Sequence, residues 1–210
     1  MTMPTGIEME KRKDDRGLAG LQALVDRAGT RRRGPAPVEK WHPAHRGEID
    51  IEIRADGRWF HEGSPIGRQP LVDLFATVLR KDEDGETYLV TPVEQLRIRV
   101  EDAPFIAVEM QATGSGEDQV LTFRTNVGDV VEAGPEHRLR FEIEDATGGV
   151  KPYLGVRGRL EALLARPVMH ELMALGEERE LDGKTVFAVG SKGMFFAVMA
   201  ADELGGGSEV

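Results

Sequence analysis

GEIDIEIRADGRWFHE, residues 47–62, carries the clearest structural signal in the chain. Ile49, Ile51 and Ile53 alternate with Asp50, Glu52 and Arg54, the period-two pattern of a strand with one buried face. Ala55-Asp56-Gly57-Arg58 supplies an Asp-Gly hairpin turn, and Trp59-Phe60-His61-Glu62 begins the returning strand. The next stretch, GSPIGRQP at 63–70, breaks the sheet. Pro70 stands where the first turn of a helix tolerates a missing N–H. Leu71, Leu74, Phe75, Val78 and Leu79 then form one apolar stripe at helical spacing, ended by Lys81-Asp82-Glu83-Asp84-Gly85. Tyr88–Val90 reads as a strand, and in the next one Leu96, Ile98 and Val100 alternate with Arg97, Arg99 and Glu101.

Working outward, residues 105–111, 119–126 and 138–144 are strand-like; in the last, Leu139, Phe141 and Ile143 alternate with Arg140, Glu142 and Glu144. A strand near 153–157 leads to a predicted helix with apolar positions Leu160, Leu163, Leu164, Val168, Leu172 and Leu175. Pro167 lies inside that stripe, which predicts a kink or two short helices, with Gly176 as C-terminal cap. Asp182-Gly183 precedes strands Thr185–Val189 and Met194–Met199, joined by the turn Gly190-Ser191-Lys192-Gly193. Strands, a helix, then strands thus occur twice, at 47–101 and 105–200. YLVTPVEQLRIRVE and VFAVGSKGMFFAVM take equivalent places, although few residues are identical. The expected fold class is α+β, with two similar antiparallel-sheet-plus-helix domains sharing an interface, a preferred place for a ligand pocket. The expected boundaries are a disordered tail at 1–17, a short amphipathic helix (Leu18, Leu21, Leu24, Val25) and linker at 18–37, an N-terminal domain at 38–102, a C-terminal domain at 103–202 and a flexible tail at 203–210.

Composition narrows the function classes. The 210 residues are 40% hydrophobic and 30% charged, which is ordinary globular composition. Absence of cysteine excludes a disulfide scaffold, a thiolate nucleophile and metal sites built on Cys. Residues 1–40 hold nine Lys and Arg against six Asp and Glu, whereas the rest hold 18 against 31. Such an acidic body repels nucleic-acid phosphates, so no nucleic-acid partner is expected. Lys11–Lys13 and Arg31–Arg33 read as a solvated basic arm. The start of the chain has no apolar leader, and no run approaches the ~18 apolar residues of a membrane span. A soluble, cytoplasmic protein without a membrane partner is expected.

No familiar catalytic or metal motif is complete. His42-x-x-His45 lacks a third ligand and contains Pro43, and His170-Glu171 does not continue into H-E-x-x-H. Ser64 misses the nucleophile-elbow spacing, and GTRRRG and GVRGRL lack G-x-G-x-x-G. Asp50 and Glu52 share a strand face, where solvation is the competing reading to an acid–base pair. No cofactor, metal or catalytic residue is assigned. Arginine on strands is more suggestive: Arg97, Arg99 and Arg140 project opposite apolar residues, and Arg68, Arg124, Arg157 and Arg159 lie beside turns or strand ends. The planar guanidinium suits bidentate binding of carboxylate or phosphate, and the competing reading is pairing with the abundant Asp and Glu. Trp59 and His61 are candidate stacking or hydrogen-bonding groups, with a core position as the alternative for Trp59.

The segments at 47–80, 88–105 (YLVTPVEQLRIRVEDAPF), 121–131 (LTFRTNVGDVV) and 153–176 (YLGVRGRLEALLARPVMHELMALG) resemble the bacterial family catalogued as domain of unknown function 1285. The resemblance covers about residues 38–200. It implies two related α+β domains, the second pleckstrin-homology-like, and a nucleotide-like ligand at their interface with a role in signal transduction. No enzymatic activity is implied. The family-like polar positions are Trp59, Arg68, Thr91, Glu94, Arg97, Asp102, Thr125, Asn126, Asp129, Arg140 and Arg157. Two positions depart from the family pattern: Arg138 replaces a usual proline and Gly190 a usual aromatic.

The resulting expectation is a non-catalytic sensor of an anionic, nucleotide-type molecule. Arg68, Arg97 and Arg140 would pair its phosphates, Trp59 would pack the base or sugar, and Asn126 with Asp129 would bind polar edges. The alternative is a protein-interaction adaptor binding a partner at an open sheet edge. A hydrolase using Asp50, Glu52 or His61 is the third reading.

Overall fold

The computed structural model describes residues 34–144, 149–181 and 183–200. The helix expected at 18–25 and both terminal tails lie outside the described residues. The chain divides between Asp102 and Ala103 into two compact units.

In the first unit a 3-10 turn at Val38–Lys40 precedes β1 (His45–Ile53), β2 (Trp59–His61), β3 (Ser64–Pro65), α1 (Gln69–Thr77), β4 (Leu79–Lys81), β5 (Thr87–Val90) and β6 (Glu94–Val100). The strands form one sheet in the order β3-β2-β1-β6-β5-β4. The Asp-Gly hairpin sets Ile53 opposite Trp59, with Gly57 at φ +79, a value that glycine adopts without a Cβ penalty. Ile51, Ile53, Trp59, Leu79, Leu89 and Ile98 are buried together with Leu71 and Phe75 of α1. The helix begins after Arg68, whose carbonyl accepts hydrogen bonds from the Leu71 and Val72 N–H groups. It stops at Thr77, whose hydroxyl donates to the Leu74 carbonyl at 2.6 Å. Leu79, which continued the helical stripe in the sequence, instead opens β4.

The second unit contains β7 (Phe105–Thr113), β8 (Val120–Thr125), β9 (Val130–Glu132), β10 (Leu139–Ile143), β11 (Val150–Arg157) and β12 (Leu160–Leu164). Then follow α2 (Arg166–Met173), β13 (Glu177–Leu181), β14 (Lys184–Ser191) and β15 (Met194–Ala200). Six strands form a sheet in the order β10-β11-β12-β7-β8-β9, and β13-β14-β15 form a second, smaller one. Both six-stranded sheets follow one plan. Each consists of two three-stranded antiparallel meanders, and the first and last strands of each six-stranded sheet pair in parallel: β1 with β6 and β7 with β12. The protein is therefore a duplicated, mostly-sheet fold with few helices.

The equivalences differ from those read in the sequence. The counterpart of β6 is β12, not the strands after α2, and α1 separates the two meanders while α2 follows the sheet. Residues 160–164, expected as helix, form a strand. Leu160, Ala162 and Leu164 are buried while Glu161 and Leu163 are half-buried, an alternation of period two. Gly158, at φ +52, turns the chain back on β11, and pairing on both sides outweighs the leucine helix propensity. Pro167 then lies in the first turn of α2, where it causes no kink. Strands β3, β9 and β13 have no counterpart in the sequence reading; Ser64–Pro65, expected to break the sheet, extend it by pairing with β2.

Buried Ser191 ties the small sheet to the large one. Its Oγ accepts the Leu121 N–H at 3.0 Å and donates to the Ala133 carbonyl at 2.8 Å. Ser191→Ala is expected to cost about 1–3 kcal/mol in urea unfolding with an unchanged m value, because two buried backbone groups lose their partner. A cost below about 0.5 kcal/mol would mean that this tie does not hold the sheets together.

Candidate functional site

Within each unit the residues singled out in the sequence fall into separate groups. On the exposed face of the first sheet, the parallel register with a bulge between Glu48 and Glu52 sets β1 carboxylates beside β6 guanidiniums. Arg97 pairs with Glu48 and lies 3.8 Å from Glu86, and Arg99 reaches Asp50 at 2.8 Å. Glu52 is 3.7 Å from Arg54. Pairing across strands has taken up the charges, as the competing reading holds, and Asp50 and Glu52 face cations rather than each other.

Trp59 is 2% exposed, and its ring centroid lies 6.2 Å from that of Phe75. It is a core residue, and its Nε1 has no acceptor. His61, on the same face of β2, is 5% exposed with Nδ1 unpartnered. Thr91 organises the turn into β6: its Oγ1 accepts the Val93 and Glu94 N–H groups at 3.3 and 3.1 Å. Glu94 follows, with one carboxylate oxygen buried and unpartnered. The Arg68 side chain is exposed at the start of α1.

The second unit brings four of the residues together. In the Thr125-Asn126-Val127-Gly128-Asp129 turn, the Asp129 N–H donates to Thr125 Oγ1 at 3.0 Å, and the Ile106 N–H donates to Asn126 Oδ1 at 3.0 Å. Asp129 pairs with Arg157, whose guanidinium lies 4.7 Å from the Phe105 ring centroid. The cluster has a structural use, since it fastens the β8–β9 turn to β7 and β11. Asn126→Ala is expected to cost about 1–2 kcal/mol, read by chemical denaturation, because the Ile106 N–H loses its acceptor. Asn126→Asp keeps the acceptor and should recover most of that loss. Arg140 stands apart on β10. It donates to both oxygens of Glu161 at 3.0 and 2.8 Å, bonds Glu142, and covers the Tyr153 ring at 4.3 Å. The hydrogen bonds to Glu161 above all hold its guanidinium pKa well above the ordinary value.

His42 and His45 are exposed, as is the His170-Glu171 pair on α2. Among the described residues no group of three or more His, Asp or Glu is placed to hold a metal ion.

The sequence reading missed an open groove of about 470 Å³ in the second unit. It lies where the edge strand β10 runs beside the small sheet. Leu139 of β10, Leu181 and Val186 of β13 and β14, and Phe195 and Phe196 of β15 supply its apolar walls. Arg138 and Lys184 supply its charge, both exposed and neither with a carboxylate partner among the described residues. Arg138 lines the groove, and Gly190 lies behind one of its lining residues, Phe195. Gly190 is buried beneath Phe195, and a Cβ there would lie 2.7 Å from the Phe195 ring. The missing side chain leaves room for the Phe195 ring, which also stacks against the Arg179 guanidinium at 3.7 Å. Leu181 could not be foreseen, because its strand Glu-Glu-Arg-Glu-Leu has one apolar residue. Arg138 was legible as a signal, and its lack of a carboxylate partner among the described residues was not.

Fold and side-chain placement define a class of duplicated, mostly-sheet proteins with no acid–base pair or metal cluster evident among the described residues. The chain belongs to the DUF1285 family. Residues 36–103 match the domain of unknown function (DUF1285), N-terminal domain, and residues 104–198 match the protein of unknown function (DUF1285), C-terminal domain. The resemblance read from the sequence is thereby borne out. A solved DUF1285 family protein from Silicibacter pomeroyi DSS-3 is 44% identical, with a TM-score of 0.78 over 86% of this chain and 97% of that one. Another from Shewanella baltica OS155 is 27% identical with a TM-score of 0.45, over 58% of this chain and 87% of that one. No protein with a curated description matches. Among the described residues no helix is long and apolar enough to cross a membrane.

Proposed function

We propose that this protein is a non-catalytic binding protein for a small anionic molecule, held at the groove between β10 and the small sheet. The observation that carries this reading is the pairing of charges. Arg97, Arg99, Arg124, Arg140, Arg157 and Arg179 each contact a carboxylate. Arg138 and Lys184 contact none among the described residues, and both border a concave surface walled by apolar side chains. A pocket with mostly apolar walls and a few convergent polar groups is the usual form of a small-molecule site. The chain's net charge of −10 does not prevent this, because a contact at ion-pair distance outweighs a field screened over ~8 Å. The signalling role expected from the resemblance goes with this reading, since a protein that binds without converting acts through what recognises its loaded form.

A thermal-shift panel of nucleotides, phosphorylated metabolites and carboxylates tests the proposal on the full-length protein. A ligand at 100 times its Kd adds about 2.7 kcal/mol, which is roughly 5–10 °C for a chain of this size. The shift should be lost in Arg138→Ala and kept in Arg97→Ala. A panel without shifts, or a shift that depends on Arg97 and not on Arg138, overturns the proposal. An empty panel would favour the adaptor reading, tested next with the protein as bait.

A further inference from the structure

We infer that the groove takes an amphipathic monoanion, an aliphatic chain ending in one carboxylate, rather than a nucleotide. The inference rests on the binding reading above and narrows it to a ligand class. Every wall side chain is aliphatic or aromatic: Leu139, Leu181, Val186, Phe195, Phe196 and Ala197 carry no side-chain donor or acceptor. The polar side chains of the groove are two cations, Arg138 and Lys184, which donate and do not accept. A nucleotide would lay ribose hydroxyls and a base edge against wall side chains that neither donate nor accept, leaving only main-chain groups to answer them, and each polar group buried without a partner weakens binding. An alkyl chain makes no such demand, and each methylene removed from water adds affinity.

The head-group chemistry points the same way. Arg138 presents a planar fork that matches the two oxygens of a carboxylate, and Lys184 adds a point charge. The volume of about 470 Å³ lies within the range of small-molecule sites. Phe195 packs against Gly190 and carries the Arg179 guanidinium 3.7 Å from its ring centroid, so a methyl at position 190, 2.7 Å from the ring, would displace this wall.

Isothermal titration of the full-length protein with hexanoate, octanoate and decanoate, at constant ionic strength and with adenosine monophosphate as the polar dianion, tests this. The Kd is expected to fall about tenfold for each two added methylenes. Adenosine monophosphate should bind no more tightly than hexanoate. Arg138→Ala should weaken decanoate about tenfold or more, and Arg97→Ala should leave it unchanged. Gly190→Ala should flatten the chain-length dependence while keeping the dependence on Arg138. Circular dichroism and melting confirm that each variant is folded, and Lys184→Met serves as a second head-group variant. Affinity independent of chain length overturns the inference, as does tight adenosine monophosphate binding lost in Arg138→Ala. That second outcome would leave the groove standing as an anion site. Failure of all four compounds, with an empty thermal-shift panel, overturns both.

Discussion

Arg80→Ala is expected to remove about 2–4 kcal/mol from the stability of the first unit, the largest loss from any single charged side chain there. Arg80 is 7% exposed. Its Nη1 donates to the Val38 and Trp41 carbonyls at 2.9 and 2.8 Å, and its Nε and Nη2 grip Asp82 at 2.6 and 3.1 Å. Gln95 closes the network by donating to Asp82 at 2.9 Å. One guanidinium thus fastens the segment before β1 to β4 and β6. Removing one partner of a buried pair leaves the other charge uncompensated; the Asp82 side chain is 27% exposed, so water recovers part of the loss. Arg80→Lys should rescue little, because an ammonium cannot span two carbonyls and a bidentate carboxylate. Urea unfolding gives the magnitude, and limited proteolysis should find residues 34–44 newly accessible. A loss below 1 kcal/mol, with that segment still protected, would mean that the network contributes geometry and little stability.

Trp59→Ala should cost about 3–5 kcal/mol, and Trp59→Phe no more than about 2. The indole fills the core against Phe75, and a cavity of that size cannot collapse between a sheet and a helix. Its N–H has no acceptor, so replacement by phenylalanine forfeits volume but no hydrogen bond. The pair of variants separates a packing role from ligand stacking. A stacking residue would tolerate alanine in unfolding experiments and fail in binding, whereas the core residue described here does the reverse. Alanine tolerated at a cost under about 1 kcal/mol would place the indole outside the core.

Much of the architecture was legible because its signals are local. The Ile49–Ile53 alternation, the Asp-Gly turn and the Pro70 helix start depend on neighbours in the chain, and each appears where expected. What escaped depended on distant partners. Leu160, Leu163 and Leu164 fit a helix as well as a strand, and the neighbour β7, far back in the chain, decides between them. The duplication was visible, but its internal equivalence was misplaced for the same reason, since α2 looked like the partner of α1. Arg97 and Arg99 show the corresponding limit for sites. Their projection from β6 was correct, yet only the bulged parallel register with β1 reveals that Glu48 and Asp50 meet them. Arg138 and Lys184 stand 46 residues apart by number, and a strand without apolar periodicity completes the wall between them.

The parallel pairing of first and last strands also sets a timetable for synthesis. In the first unit 49 residues separate Glu48 from Arg97, so β1 must wait for β6 before its second edge is covered. Such long-range closure is slow, on the order of milliseconds to seconds for sheet-rich domains. Ribosomes add about 5–20 residues per second, so the remaining half of the chain takes on the order of 5–20 s to emerge. The first seam can therefore close while the second unit is still being made. Each seam needs the last strand of its sheet, and until that strand is made β1 and β7 are uncovered edges open to wrong partners. The charged faces of β1, Glu48, Asp50 and Glu52, are then a safeguard during synthesis before they are ion-pair partners in the finished sheet.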